Sequence, residues 1–427
     1  MTDSQKTPLS LFVNLSVMMF VLFFVWGAWF VTVGNFMFNR GMTEHIAWVY
    51  STTPIAAIIT PFFMGVFADR FVNAEKLQGT LLMIGGVFMY MAPRFANPEN
   101  ANAFVIMLQI HALCFMPTLG LSNTICLKHL KDTERDYPIV RVFATLGWIV
   151  AGLVVSKVLK ADLENTQFYV AAGASWVVGV YSLFLPATPP PARGEKVSFG
   201  DICGAATFPY FKKFAFAIFM FASLLSCVAF MPYWANGSTF LGVAGIKEPG
   251  GFLTMGQMAE LFILAFILPL FIKRFGIKWT MIFGMASWII RYLCFSYAAG
   301  LQAGAAADVM ANGVMALLVA GVVLHGFAYD FVFVAGYLYV DKHVSEKVRA
   351  QAQGLLTVFT QGIGFVLSSQ IFSGVIFLKV VGESGGLNEW KTFWLYPMAY
   401  LLVVFFVFII LFKEDKTKDP APETPGG

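Results

Sequence analysis

The sequence predicts an all-α membrane protein of about twelve transmembrane helices in two six-helix bundles. Three observations carry this. Hydrophobic residues make up 58% of the 427, charged residues 12%, and the mean hydropathy is +0.73, which is too apolar for a soluble globule. Apolar runs of roughly 17 to 25 residues, long enough to cross a hydrocarbon core, recur along the whole chain. One long polar connection containing Pro189-Pro190-Pro191 splits those runs into two equal groups.

In the first group, spans open near Leu9, Ile46, Leu77, Ala103, Val142 and Phe168. The first follows a start, Met1 to Ser10, that holds one Lys, and it runs past the length of a signal-peptide core, so it is expected to stay in the membrane. The connection from Pro186 to Lys213 carries the Pro run and a Gly-Glu-Lys stretch. Spans of the second group open near Phe214, Phe252, Trp279, Val314, Gly354 and Phe393. Lys413 to Gly427 is charged and Pro-containing and reads as a disordered tail. The expected organisation is therefore a bundle over 1–185, a cytoplasmic linker over 186–213, a bundle over 214–412 and a tail over 413–427.

Orientation follows from the basic residues, which are retained on the cytoplasmic side of span ends. With both termini cytoplasmic, only Arg40, Arg94, Lys157, Lys160, Lys247, Lys379 and Lys391 fall outside, Arg291 lies mid-span, and the other Lys and Arg residues fall inside. The net charge of +4 is this cytoplasmic excess and calls for no nucleic-acid partner. Cys114, Cys126, Cys203, Cys227 and Cys294 lie in or beside spans without paired spacing, and the five His are scattered, so no metal site, disulfide framework or cofactor is indicated. Neither a nucleophile elbow nor a phosphate loop is present, which argues against an enzyme.

The chemistry lies in polar residues within the spans. Glu260 and Asp330 sit in the apolar stretches Phe252 to Ile272 and Val314 to Val340, where a charged carboxylate costs roughly 2.5 to 3.5 kcal/mol on insertion scales. A carboxyl group in such a place is suited to taking up and releasing a proton; the alternative is a buried structural pair, with Arg291 the available partner. Glu260 and Arg291 lie at similar depth, and Gln257 and Glu260 share a face at i, i+3. Arg141, Thr145 and Trp148, at i, i+4, i+7, put a cation, a hydroxyl and a stacking plane on one helix stripe. The competing reading is an arginine anchoring a helix end and a tryptophan facing lipid. His325 and Tyr329 share a stripe, whereas Asp330 lies about 140° from His325 and is expected to face a neighbour. Proton coupling is assigned to Asp330 first and Glu260 second. Gly147, Gly152, Gly362 and Gly364 fall on spans expected to slide past neighbours, where small residues permit close packing.

Six-plus-six parallel repeats with a site between them are a recurrent carrier plan. The stretch Gly65-Val-Phe-Ala-Asp69-Arg70, after the second span, resembles the loop motif of the major facilitator superfamily, and implies that fold with Asp69 and Arg70 latching a cytoplasmic gate. Further stretches are similar to the bacterial nucleoside:proton symporters within that superfamily. They are Trp26-Gly-Ala-Trp29 with Gly34, Met116-Pro-Thr-Leu-Gly-Leu-Ser-Asn123-Thr124, Arg141-Val-Phe-Ala-Thr145-Leu-Gly147, Gln257-Met-Ala-Glu260, Trp288-Ile-Ile-Arg291 and His325-Gly-Phe-Ala-Tyr329-Asp330.

The resemblance implies a substrate site at Arg141, Thr145, Gln257, Glu260 and Asp330, which match identically, with Trp148 and Tyr329 where the family has Phe. His325 stands where the family's nucleoside carriers have Tyr. The family's amide pair is not matched at Met231 and Trp234, although Asn236 lies close by. The expected function is proton-coupled uptake of a nucleoside or closely related glycoside by alternating access, with Trp234 also in the site. The protein is expected to be a monomer spanning the bacterial inner membrane. The alternatives are a proton-coupled sugar carrier, favoured by Trp234, and a membrane ligand sensor, disfavoured because no soluble domain is appended.

Overall fold

The computed structural model describes residues 7–63, 72–190, 204–304, 313–346, 348–383 and 385–413. Asp69, Arg70 and Cys203, residues 191–203 of the linker over 186–213, and all of the tail after Lys413 lie outside the described residues. Every regular element among the described residues is a helix. Among the described residues eight helical stretches are long and apolar enough to cross a membrane, from 19 to 56 residues in length.

The chain divides into two compact units. The first comprises residues 1–196 together with Trp234–Gly242 and Lys247–Thr254. Its longer helices are α1 (Leu9–Gly27), α2 (Ile46–Phe63), α3 (Ala74–Met91), α4 (Ala101–His129), α5 (Thr133–Leu153) and α6 (Thr166–Ser182). Helix α1 lies along α5, while α3 packs on both α4 and α6. The α1–α5 approach needs a missing side chain: a Cβ at Gly147 would sit 2.0 Å from the Phe20 carbonyl oxygen, which is the close packing that small residues allow. Leu15, Met18, Leu22, Phe115, Ile125, Val140 and Val178 form this unit's core. Buried polar side chains bridge some of its segments. Thr32 Oγ1 donates to Gln167 Oε1 at 2.7 Å, and Gln78 Nε2 donates to Ser182 Oγ at 3.0 Å.

The second unit contains α7 (Phe214–Cys227), α10 (Leu268–Gly304), α11 (Val314–Val323), α12 (His325–His343), α13 (Arg349–Thr357) and α14 (Leu387–Leu411). Helices α8 (Met231–Val243) and α9 (Pro249–Phe262) contribute residues to both units. Helix α10 packs on α14, α12 and α11. Its run breaks at Gly276, where φ is 77° and ψ 176°, a backbone conformation glycine adopts without steric cost. That break falls just before Trp279, where the sequence begins a new span.

Helical geometry is widened at Val154–Val158, Ile263–Ile267, Val358–Gly364 and Ser369–Ile376, which are π-helical. Such stretches sit often at functional positions, and Ile263–Ile267 follows Glu260 by one turn. Among the described cysteines, Cys114, Cys126, Cys227 and Cys294 are all free. Large apolar side chains such as Phe266, Leu270, Val403 and Ile410 are more than 60% exposed, as lipid-facing residues are in a membrane protein.

Candidate functional site

In the first unit, Arg141, Thr145 and Trp148 stand on α5 with their helical spacing intact. Arg141 is exposed, and its guanidinium lies 4.5 Å from the centre of the Phe23 ring, a cation–π contact that orients the side chain without using its hydrogen-bond donors. Trp148 packs edge-on against Trp26 at 5.2 Å and near Phe30 at 6.1 Å. Trp26 in turn meets Phe30 and Phe115 at 5.6 and 5.9 Å. The tryptophan of the stripe thus belongs to an aromatic cluster, with α1 supplying rings that helical spacing on α5 alone could not identify. Nearby, Tyr137 donates its hydroxyl proton to Asn123 Oδ1 at 2.9 Å, tying α5 to the Asn123-Thr124 stretch of α4.

Helix α8 carries the position where the family's amide pair is expected. Met231 is 1% exposed and its N–H donates to Ser368 Oγ at 2.9 Å; Trp234 is buried as well. Asn236 is wholly buried, and among the described residues neither its amide nitrogen nor its amide oxygen has a hydrogen-bond partner. A buried amide left unmade costs about 1 to 3 kcal/mol, so this group is a natural recognition element for a polar ligand.

In the second unit, residues from α8, α9, α10, α11 and α12 converge. Glu260 on α9 has its Oε2 3.6 Å from His325 Nε2 on α12. The helices meet closely there, since a Cβ on Gly326 would lie 2.7 Å from Glu260 Cα and 2.8 Å from Ile263 Cδ1. The His325 ring stacks on Tyr233 at 5.1 Å and 22°, and on Tyr329 at 5.7 Å and 24°. Tyr329 continues to Phe333 at 4.5 Å. Asp330 is 2% exposed, its Oδ2 has no hydrogen-bond partner among the described residues, and Glu260 is its charged neighbour. Gln257, one turn before Glu260, is buried too.

Arg291, which shares the depth of Glu260, makes a different set of contacts. It is fully buried, Nε donates to the Gly321 carbonyl at 2.8 Å, and the guanidinium lies over Tyr233 at 3.8 Å and Trp288 at 4.4 Å. Its neighbour Trp288 donates its indole N–H to the Ala328 carbonyl at 2.8 Å, which pins α10 to α12. Glu260 pairs with His325 where depth alone suggested Arg291, and Tyr233 touches both His325 and Arg291. Sequence reasoning gave Tyr233 no role, and its only signal was its place between Met231 and Trp234. Among the described residues, no group of three His, Cys, Asp or Glu side chains is placed to hold a metal ion.

The family model for nucleoside H+ symporters matches residues 9–417. Xanthosine permease of Escherichia coli (strain K12) is 34% identical over 424 residues, covering 95% of this chain and 96% of the permease. Nucleoside permease NupG of the same organism is 30% identical over 431 residues, covering 96% and 98%. A crystal structure of nucleoside transporter NupG superposes with a TM-score of 0.82 at 30% identity, over 95% of this chain and all of that one. The POT family transporter PepTSo shares the fold at a TM-score of 0.71 and 11% identity. With the model spanning nearly the whole length and the relatives matching it end to end, this chain belongs to the nucleoside H+ symporter family.

Proposed function

We propose that Arg141, Thr145, Trp148, Gln257, Glu260, His325 and Tyr329, with Trp234 and Asn236 on α8, hold a nucleoside, and that Asp330 and Glu260 carry the proton moved with it. Proton-coupled nucleoside uptake is the function of the family to which the chain belongs. The observation that carries the residue assignment is the cluster in the second unit: two acidic groups on long apolar helices, Glu260 with Oε2 3.6 Å from His325 and Asp330 buried within electrostatic reach of Glu260. Intramembrane acids are costly and are kept for proton or ion pathways.

The aromatic surfaces of Trp148 and Tyr329 suit a planar base, and the Asn236 amide suits its polar edge. Asn236 is preferred to Met231 as the family's missing amide, since its buried side chain has unused donors and an unused acceptor among the described residues. In this reading the chain forms a major facilitator fold of twelve spans, with bundles over 1–185 and 214–412 and both termini cytoplasmic. It works as a monomer in the lipid of the bacterial inner membrane by alternating access, with Asp69 and Arg70 at the cytoplasmic gate. Proton binding lowers the cost of closing around a carboxylate and substrate stabilises the closed form, so that each favours the other.

Uptake of labelled uridine into proteoliposomes under an imposed pH gradient, with nucleosides, nucleobases and sugars as competitors, tests the proposal. Competition by nucleosides supports it. Indifference to nucleosides with uptake of a free sugar would replace it by a sugar carrier, and ligand binding without accumulation by a sensor.

A further inference from the structure

A guanidinium buried in a membrane domain is expensive, and what surrounds Arg291 does not account for it as scaffold. Five N–H donors in a rigid fork are normally used up when an arginine is structural. Among the described residues Nε alone is bonded, to the Gly321 carbonyl, and neither terminal nitrogen has a hydrogen-bond partner. The charge is held instead by the ring faces of Tyr233 and Trp288, a contact that offsets part of the desolvation and leaves the cation's field unspent.

The titratable groups around that cation are Tyr233, Tyr292 and Cys294 from its own and the neighbouring helices, and His325 on α12. Lys391 on α14 lies beside Gly300, further along α10. Through Tyr233, which is acted on by both Arg291 and Glu260, the cation adjoins the Glu260–His325 contact, and beyond it Asp330. With imidazole and phenols neutral, the cluster holds one permanent positive charge and two acids. It is electrically neutral when the two acids share one proton, and carries a single negative charge when that proton leaves. Without the arginine the same steps run from one negative charge to two, which a low-dielectric interior strongly disfavours.

We propose that Arg291 is the standing counter-charge of the Glu260–Asp330 site, stored on an aromatic ledge, and that it sets the site to exchange one proton near neutral pH. The proposal rests on the assignment of the proton to those two acids. Arg291 is then a positioning residue for the coupling ion, acting through its field with no contact to the substrate.

The test is the pH profile of gradient-driven nucleoside uptake in proteoliposomes for Arg291→Gln and Arg291→Lys, with the melting temperatures of both and of the double variant Glu260→Gln/Arg291→Gln. Removing the cation makes the proton harder to release, so Arg291→Gln should run only at higher pH, its profile displaced upward by about one unit or more. Arg291→Lys should keep the profile within a few tenths of a unit of wild type. The double variant removes one charge of each sign and is read by melting temperature alone, since Glu260 belongs to the proposed binding site; it should recover stability lost in Arg291→Gln. A wild-type profile in Arg291→Gln would overturn the proposal, as would a double variant no more stable than the single one. Asp330→Asn retaining gradient-driven accumulation would overturn the underlying proton assignment instead, so the two failures are separable.

Discussion

Replacing Asp330 with Asn tests the coupling assignment at nearly constant shape. The side chain is 2% exposed and its Oδ2 makes no hydrogen bond among the described residues, so the exchange breaks no existing contact of that atom. A new NH2 group left unbonded would cost about 1 to 3 kcal/mol, while the expense of an ionisable group in the membrane disappears. Folding should therefore survive. Coupling should not, because an amide cannot take up and release a proton. One proton moved per substrate down a gradient of one pH unit supplies about 1.4 kcal/mol, which supports up to roughly tenfold accumulation. In proteoliposomes with an acidic exterior the wild-type protein should approach that ratio, and the variant should equilibrate near one. Substrate binding to the purified variant, measured by calorimetry, should persist. A tenfold accumulation by Asp330→Asn would refute the argument, since the proton would have to travel elsewhere.

Arg141→Ala and Gln257→Ala should each weaken nucleoside binding by about 1.5 to 3 kcal/mol, roughly one to two orders of magnitude in Kd, in protein whose melting temperature is little changed; unaltered affinity would return both residues to the scaffold. Asn236→Ala should weaken binding similarly, whereas Met231→Gln, if Asn236 is the recognising amide, should leave base preference within about threefold of wild type in competition assays. Gly147→Leu places side-chain atoms where the Phe20 carbonyl oxygen is 2.0 Å from an added Cβ, and overpacking of that kind costs about 1 to 3 kcal/mol or more, read as a lower melting temperature. Asp162 lies in the connection between α5 and α6, beyond the membrane-spanning stretches. It accepts from Ser156 Oγ and the Gly250 N–H, each at 2.9 Å, and burial holds its carboxyl above the usual carboxylate range against those two bonds. Because the folded form binds this proton more tightly than the unfolded chain does, stability is lost as pH rises through the folded value. Asp162→Asn should therefore raise the melting temperature at neutral pH and lose that advantage below about pH 4, where the unfolded carboxyl is also protonated.

The parts of this protein legible in its sequence are those that a helix's period or a membrane's polarity determines. The spacing of Arg141, Thr145 and Trp148 becomes a shared face because α5 is a helix, and Glu260 and Asp330 stand out because the surrounding residues are apolar. The pairing of Glu260 was different. Residue counting places Glu260 and Arg291 at one depth, yet depth leaves the direction around each helix axis open. The structure gives Glu260 to His325 and puts Arg291 against Tyr233 and Trp288. Tyr233 could not be singled out for the same reason: its neighbours Arg291 and His325 come from helices far along the chain, and spacing within one helix says nothing about them. The π-helical stretches were equally hidden, since widening by one residue per turn leaves no mark in an already continuous apolar run.

The departures from the family pattern that the resemblance implies have a common physical sense. His325, expected where the family's nucleoside carriers have Tyr, brings to α12 a ring nitrogen 3.6 Å from Glu260 while keeping a flat surface against Tyr233 and Tyr329. A flat ring is thus kept and a hydrogen-bonding nitrogen is added beside the acid. A histidine here gives the site a choice that a tyrosine lacks near neutral pH, because the imidazole can accept a hydrogen bond from a protonated Glu260 or donate one to an ionised Glu260. The carboxyl group then has a partner in both of its states, and the transition between them need not strand a buried polar atom. Loss of one amide position at Met231 is compatible with the same economy, since Asn236 supplies a buried donor and acceptor little more than a turn further along α8. Recognition on α8 would then rest on one amide beside an aromatic face, and discrimination between bases should be correspondingly broader than in a site with two amides on that helix.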